Sequence, residues 1–158
     1  PSISSIPASL QITSGESSAL LFTNATLDDG NAAADDTLSL TLSDNSVAVA
    51  ALNTLDGKTA VAINASGVSE VTATNVQIGA LSTAYASSGI SGLGNEAITI
   101  TGGSISAADA NTAVGLTNGV VAATVTTTGV SVTSLNSTLS NASATDQLTI
   151  VVDAVAVQ

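Results

Sequence analysis

The chain of 158 residues contains no cysteine, methionine, tryptophan or histidine, and Lys58 is its one cation. Without cysteine there are neither disulfides nor thiolate metal sites, so stability must come from packing and hydrogen-bonded structure alone. Twelve acidic residues against one lysine give a net charge of −11. Phosphate backbones and anionic lipid surfaces are held by Lys and Arg, so neither nucleic acid nor an anionic membrane is an expected partner. No apolar run reaches the roughly 18–20 residues of a membrane span, so no membrane insertion is expected. With no His, Cys or Arg, a base working near neutrality would have to be a carboxylate strongly shifted by burial. A carboxylate pair for glycoside hydrolysis would lack aromatic platforms for the sugar, because Phe22 and Tyr85 are the only large rings. The chain therefore reads as a non-enzymatic protein, and its single lysine offers trypsin one site, which suits an exposed life.

What is present is aliphatic and hydroxylated. The hydrophobic fraction is 44%, made up of Ala, Val, Leu and Ile, with Ser and Thr filling the polar half of the alternation. Mean hydropathy is +0.50, and apolar periodicity is sustained, so an intrinsically disordered chain is excluded. A core of branched aliphatics without rings suits sheets packed on sheets, where Val, Ile and Thr fit a pleated surface. The length predicts one compact domain, or two small ones sharing a core.

The chain is organised around Leu52–Thr101. There Thr59–Asn64 alternates as a strand, and Asn75 opens a helical segment with Val76, Leu81, Ala84 and Tyr85 on one face. Gly89 follows as a left-handed stop, and Ala97–Thr101 alternates again. Upstream, both prolines lie in 1–8, predicted as an extended arm or edge strand. Ser9–Thr13, Ser18–Thr23, Thr37–Ser43 and Val47–Ala51 read as four short strands resembling half of an immunoglobulin-like sandwich. Downstream, Ser106 and Asp109 form a capping box that starts a short helix to about Val114. Asn118-Gly119 signals a tight turn, Val120–Thr126 a strand, 129–139 a mixed segment with a short helix, and Gln147–Val157 a closing strand. Setting Thr59–Ser69 over Val121–Ser131, and Ala97–Ile100 over Gln147–Ile150, gives an internal repeat of roughly 50–60 residues. The expected fold is mainly β: an immunoglobulin-like β-sandwich part over 1–50, then two duplicated strand–helix–strand units, 51–104 and 105–158, sharing one core. Two copies are fewer than a solenoid needs, so a compact duplicated domain is preferred over one.

The strings LNTLDGKTAVAINASGVSEVTATN, AYASSGISGLGNEAITI and LTNGVVAATV resemble the repeat modules of very large surface proteins of marine cyanobacteria and related bacteria. They are also similar to modules in structural proteins, decoration or fibre, of the phages that infect them. The resemblance covers roughly residues 50–150, and GISGLGNEA is its most distinctive string. It implies a repeated, non-enzymatic surface role and carries no binding residues across.

Asp28, Asp29, Asn31, Asp35 and Asp36 gather five oxygen side chains around Gly30. Calcium takes six to eight oxygen ligands, which makes this loop a candidate calcium site, although its spacing departs from the EF-hand pattern. The alternative is a solvated loop that keeps a sheet edge soluble. Lys58 invites two special chemistries, an isopeptide cross-link assisted by Glu70 or Glu96 and a Ser–Lys nucleophile pair. Neither has supporting spacing, and the simpler reading is a surface lysine loosely paired with Asp56. The Asn-x-Ser/Thr sequons at Asn24, Asn64, Asn136 and Asn141 are about as many as chance gives in so Ser- and Thr-rich a chain, and they are no sign of glycosylation.

Composition and resemblance together lead to a non-enzymatic structural protein of a virion surface, a phage capsid decoration, cement or fibre subunit. The alternative is a secreted adhesin, surface-layer or filament module at the bacterial cell surface. Pro1 fits a product trimmed after Met-Pro and made without a secretory signal, or else a boundary set by other processing. The expected partners are the chain itself and a capsid or surface lattice, in a homo-oligomer with a trimer as first guess. The contact elements would be the Pro1–Ala8 arm and the closing strand Leu148–Val157.

Overall fold

Short alternating stretches of Val, Ile and Thr are separated along this chain by Ala-rich stretches with apolar residues three or four apart. The computed structural model describes residues 40–128 and 131–152 and turns that alternation into eight strands and four helices among them. In order these are β1 (Leu40–Thr41), β2 (Ser46–Ala48), α1 (Val49–Asp56), β3 (Ile63–Asn64), β4 (Glu70–Thr74) and α2 (Ile78–Ala86). Then come β5 (Ile90–Ser91), β6 (Ala97–Ser106), α3 (Ala107–Val114), β7 (Val121–Thr126), α4 (Val132–Thr138) and β8 (Gln147–Val151).

All strand pairing among these elements is parallel, in two sheets whose strand order follows the chain: β1-β3-β5 and β2-β4-β6-β7-β8. Parallel neighbours need a crossover, and here a helix lies on the path from each strand of the larger sheet to the next. Leu40 pairs with Ile63 and Ile63 with Ile90, while Val71 pairs with Ile98, Ile98 with Val121 and Ala122 with Gln147. Each circuit thus takes up roughly 25 residues and stacks on the one before it, the geometry of a solenoid. The helices form a third layer, each packed beside the next.

The core is one cluster enclosed by these three walls. Val71, Ile98 and Val121 stand in register across β4, β6 and β7 and are fully buried. Ile63 and Ile90 come from the smaller sheet, and Leu52 and Leu81 from α1 and α2. Burying a side chain of this size contributes about 1.5–3 kcal/mol. On α3 the inward positions are Ala107, Ala110 and Ala113, all buried, so the helix can lie close to the sheet. Ser106 accepts a hydrogen bond from the Asp109 N–H at 3.1 Å, the N-cap half of the capping box expected from the sequence, and the Asp109 carboxylate accepts from the Ser106 hydroxyl at 2.7 Å.

The fold corrects the expectation of a mainly β, immunoglobulin-like sandwich with two duplicated units. The chain is α/β with parallel sheets. A sandwich of that kind joins antiparallel strands by tight turns, whereas Asp44-Asn45 and Asn118-Gly119 are corners within a circuit that never reverses the strand direction. Val47–Ala51, read as one strand, is β2 running directly into α1, whose Val49 and Leu52 are buried at helical spacing. The repeat is also half as long as expected. Its alignment set Thr59–Ser69, which contains β3 of the smaller sheet, over β7 of the larger one. Residue 51, placed at a boundary, falls inside α1, and β1 and β2 share sheets with β3 and β4.

Two local expectations change as well. Val76 lies before α2 and is 84% exposed, and Ile78 takes the inward position in its place. Gly89 does not supply a left-handed stop: a Cβ there would collide with the carboxylate of Asp56, so its use is close approach. The strands expected at Ser9–Thr13 and Ser18–Thr23, and the Pro1–Ala8 arm, lie outside the described residues.

Candidate functional site

Parallel sheets are usually covered on both faces. Among the described residues, the outer face of the five-stranded sheet is not. The sheet's inner residues enter the core, and its outer residues are a sequence of hydroxyls. Thr72 and Thr74 of β4 stand opposite Thr99 and Thr101 of β6, and Ser104 and Ser106 of β6 stand opposite Thr124 and Thr126 of β7. Thr124 in turn faces Thr149 of β8. Period-two alternation places every one of these on the outer face once Val71, Ala73, Ile98, Ile100, Ile105, Val121, Ala123 and Val125 are drawn in.

β6 serves both neighbours because it carries an insertion. Its register against β7 shifts between Thr99 and Ser104, and Gly102 and Gly103 sit in that shift with φ of 82° and 139°. These angles are costly for any side chain with a Cβ, which is why glycine stands at both positions.

Among the described residues, two carboxylates meet this face: Asp109, bonded to Ser106 Oγ at its edge, and Glu70 within it. Glu70 accepts from Ser46 Oγ and from Thr99 Oγ1, each at 2.7 Å, and these two hydrogen bonds hold its carboxyl below the usual range. The hydroxyls of Thr72, Thr74, Thr124 and Thr149 bond to no protein group among the described residues.

Away from the face, acids fasten the corners between circuits. Glu96 is buried, and its carboxylate accepts from the N–H groups of Gly94 and Asn95 and from the Tyr85 hydroxyl. Burial, together with the hydrogen bond to and charge of Glu96, raises the Tyr85 phenol far above its ordinary value. Asp146 accepts from the Val121 N–H at 2.9 Å and the Ser143 N–H at 2.8 Å. Burial pushes its carboxyl up, but these backbone bonds and the Ser143 hydroxyl outweigh that and leave it lowered. Gly119 packs so tightly on the preceding corner that a Cβ would lie 2.6 Å from the Glu96 carbonyl carbon.

A shallow depression of about 210 Å³ opens beside this corner, between Val114, Thr117, Asn118, Asn141 and Asp146. Asp146 and Asn141 are already engaged there, Asn141 with Asn111, so the depression offers a ligand little unspent polarity.

The calcium candidates Asp28, Asp29, Asn31, Asp35 and Asp36 lie outside the described residues. Lys58 follows α1 in an exposed turn and forms no ion pair among the described residues. Its expected partner Asp56 accepts instead from Ser87 Oγ at 2.7 Å. Glu70 and Glu96, considered as helpers of a cross-link, are occupied by hydroxyls and backbone N–H groups. The threonine pairs went unread in the sequence, although Thr72-Ala73-Thr74, Thr99-Ile100-Thr101 and Thr124-Val125-Thr126 recur at the interval of the circuits. That recurrence was the available signal.

Among the described residues, no helix is long and apolar enough to cross a membrane. Fold and face together define an α/β protein of stacked parallel circuits with a hydroxyl-bearing sheet face left open by the described residues. No family model, no curated protein and no solved structure matches the chain.

Proposed function

We propose that the chain is a non-enzymatic structural element of an exposed surface, a decoration or fibre subunit of a virion. The observation that carries this reading is the sequence-ordered stacking of parallel circuits, which builds length rather than a pocket. The carboxylates that could have served chemistry support it from the other side. Glu70, Glu96, Asp56, Asp109 and Asp146 each hold a hydroxyl or a backbone N–H at a corner, a cap or a sheet face. Self-association is part of the proposal, as a homo-oligomer with a trimer as first guess or as docking on a capsid or surface lattice. β8 has one strand partner among the described residues, and Val151 and Val152 beside it are each 50% exposed.

A second reading, a stalk or filament segment of a bacterial surface protein, is favoured by the same stacking. Circuits of this kind can continue along a longer chain, and the repeats resemble those of large surface proteins. Mass spectrometry on gradient-purified virus particles and on washed cell-surface fractions of the source culture separates the two. Peptides of this chain in the particles support the virion reading, and peptides confined to cell surfaces overturn it in favour of the second. Light scattering tests the association. A stable monomer at micromolar concentration leaves docking on a foreign lattice as the only form of assembly.

A further inference from the structure

We propose that the outer face of the five-stranded sheet binds ice. Adjacent strands lie about 4.7–4.9 Å apart, and alternate residues on one strand about 6.6–6.8 Å apart. The cross-strand pairs Thr72–Thr99, Thr74–Thr101, Ser104–Thr124, Ser106–Thr126 and Thr124–Thr149 therefore form a two-dimensional net of hydroxyls with those two repeats. The shorter repeat is close to that of water oxygens along the short axis of hexagonal ice, and the longer one close to that along its long axis. Threonine suits such a net because it presents a methyl and a hydroxyl from one Cβ, with χ1 held by branching. The methyls exclude disordered water while the hydroxyls hold water at fixed points. Four of these hydroxyls, on Thr72, Thr74, Thr124 and Thr149, have no protein partner among the described residues and are available to it.

Charge selects this occupant over others. The chain carries −11, yet among the described residues its sheet face meets two carboxylates, both tied down: Glu70 by Ser46 and Thr99, and Asp109, at the edge, by Ser106. An uncharged net complements an uncharged crystal. It has no cation for a polyanion and no ring on which a polysaccharide could stack. The glycine insertion in β6 fits the same purpose. It breaks the pairing once and brings a second hydroxyl pair, Ser104 and Ser106, opposite Thr124 and Thr126, so that each neighbour of β6 meets a pair. The net is thus two in-register blocks joined at the bulge.

The test uses the full chain and ice itself. Protein is cooled with a slowly growing ice hemisphere, and the amount recovered from ice is compared with that in the remaining liquid. The unaltered chain is expected in the ice, together with a Thr83→Lys variant, whose change lies on the exposed side of α2. Thr72→Lys and Thr124→Lys are expected to be left in the liquid, as an unrelated acidic protein is, with their melting curves unchanged. If either lysine variant loses its fold, Thr124→Ser, which keeps the hydroxyl and drops the methyl, is expected to show reduced uptake with the fold intact. Exclusion of the unaltered chain from ice overturns the proposal. So does undiminished uptake of the folded face variants, or equal loss in Thr83→Lys. If the face variants change only the oligomeric state in light scattering, the face joins copies of this chain and the ice reading is likewise overturned.

Discussion

Two corners of the winding chain are each held by a carboxylate that gathers backbone donors, and Glu96 is the more demanding case. It is 3% exposed, and among the described residues it has no cation beside it and is met by two N–H groups and the Tyr85 hydroxyl. Removing one donor leaves a buried carboxylate short of a partner, which costs about 1–3 kcal/mol. Tyr85→Phe is therefore expected to lower unfolding free energy by that amount in a urea titration with an unchanged slope, whereas loss within a few tenths would show that the hydroxyl is dispensable. Asp146 gives a pH-dependent counterpart. Its folded carboxyl is depressed, so its contribution is present above the ordinary carboxylate value of about 3.9 and fades as pH falls through the lower folded value. Because the group is largely open to solvent, about 1 kcal/mol is its expected weight. Asp146→Asn should be less stable than the unaltered chain at pH 7, and the gap should close as pH drops below about 4. A gap constant across that range would mean that the charge of Asp146 does nothing. The relief of self-repulsion on acidification is common to both proteins and cancels in the comparison.

At the scale of elements, the sequence was readable where a local signal was strong and misleading where two periods overlapped. α3 was legible because Ser106 and Asp109 mark its start, and the structure ends it at Val114 as expected. β7 was legible because six alternating residues leave no other reading. α1 was not, since Val47 and Val49 continue a strand's alternation up to the point where Leu52 begins a helix's. β4 was missed as well: Glu70–Thr74 alternates, but it is brief and sits between a glycine turn and a segment already read as helix. The cap on α3 can be weighed directly. Ser106→Ala removes the acceptor for the Asp109 N–H, and such a loss costs about 1 kcal/mol. The same substitution in the hydroxyl net changes no core contact, so thermal unfolding of Ser106→Ala is expected to fall by several degrees without change in the circular dichroism of the folded state. No shift would show that the end of β6 positions α3 unaided.

For the molecule as a whole, the direction of pairing was the property hidden from the sequence. Alternation predicts a strand but says nothing of whether its neighbour runs with it or against it, and turn residues such as Asn118-Gly119 serve a hairpin and a solenoid corner equally well. The repeat would have decided the matter, but circuits that share geometry while differing in residues align poorly, and unlike positions were superposed. Stacking has a consequence for stability that a closed sandwich would not share. Each circuit touches only its neighbours, so order should fail from the ends inward. β6 has strand partners on both sides, with Ile98 fully buried, while β8 has one partner among the described residues, and its Leu148 and Ile150 are only half-buried. Hydrogen exchange on the full chain is therefore expected to protect amides of β4, β6 and β7 most and those of β8 markedly less. Ile98→Ala should cost the whole protein about 2–5 kcal/mol, the usual range for a buried Ile truncation. Ile150→Ala, at the end of the stack, should speed exchange in β8 and leave that of β4 and β6 nearly unchanged. Uniform protection along the chain, with both substitutions lowering every amide alike, would mean that the circuits unfold as one unit, and the picture of independent neighbours would fall.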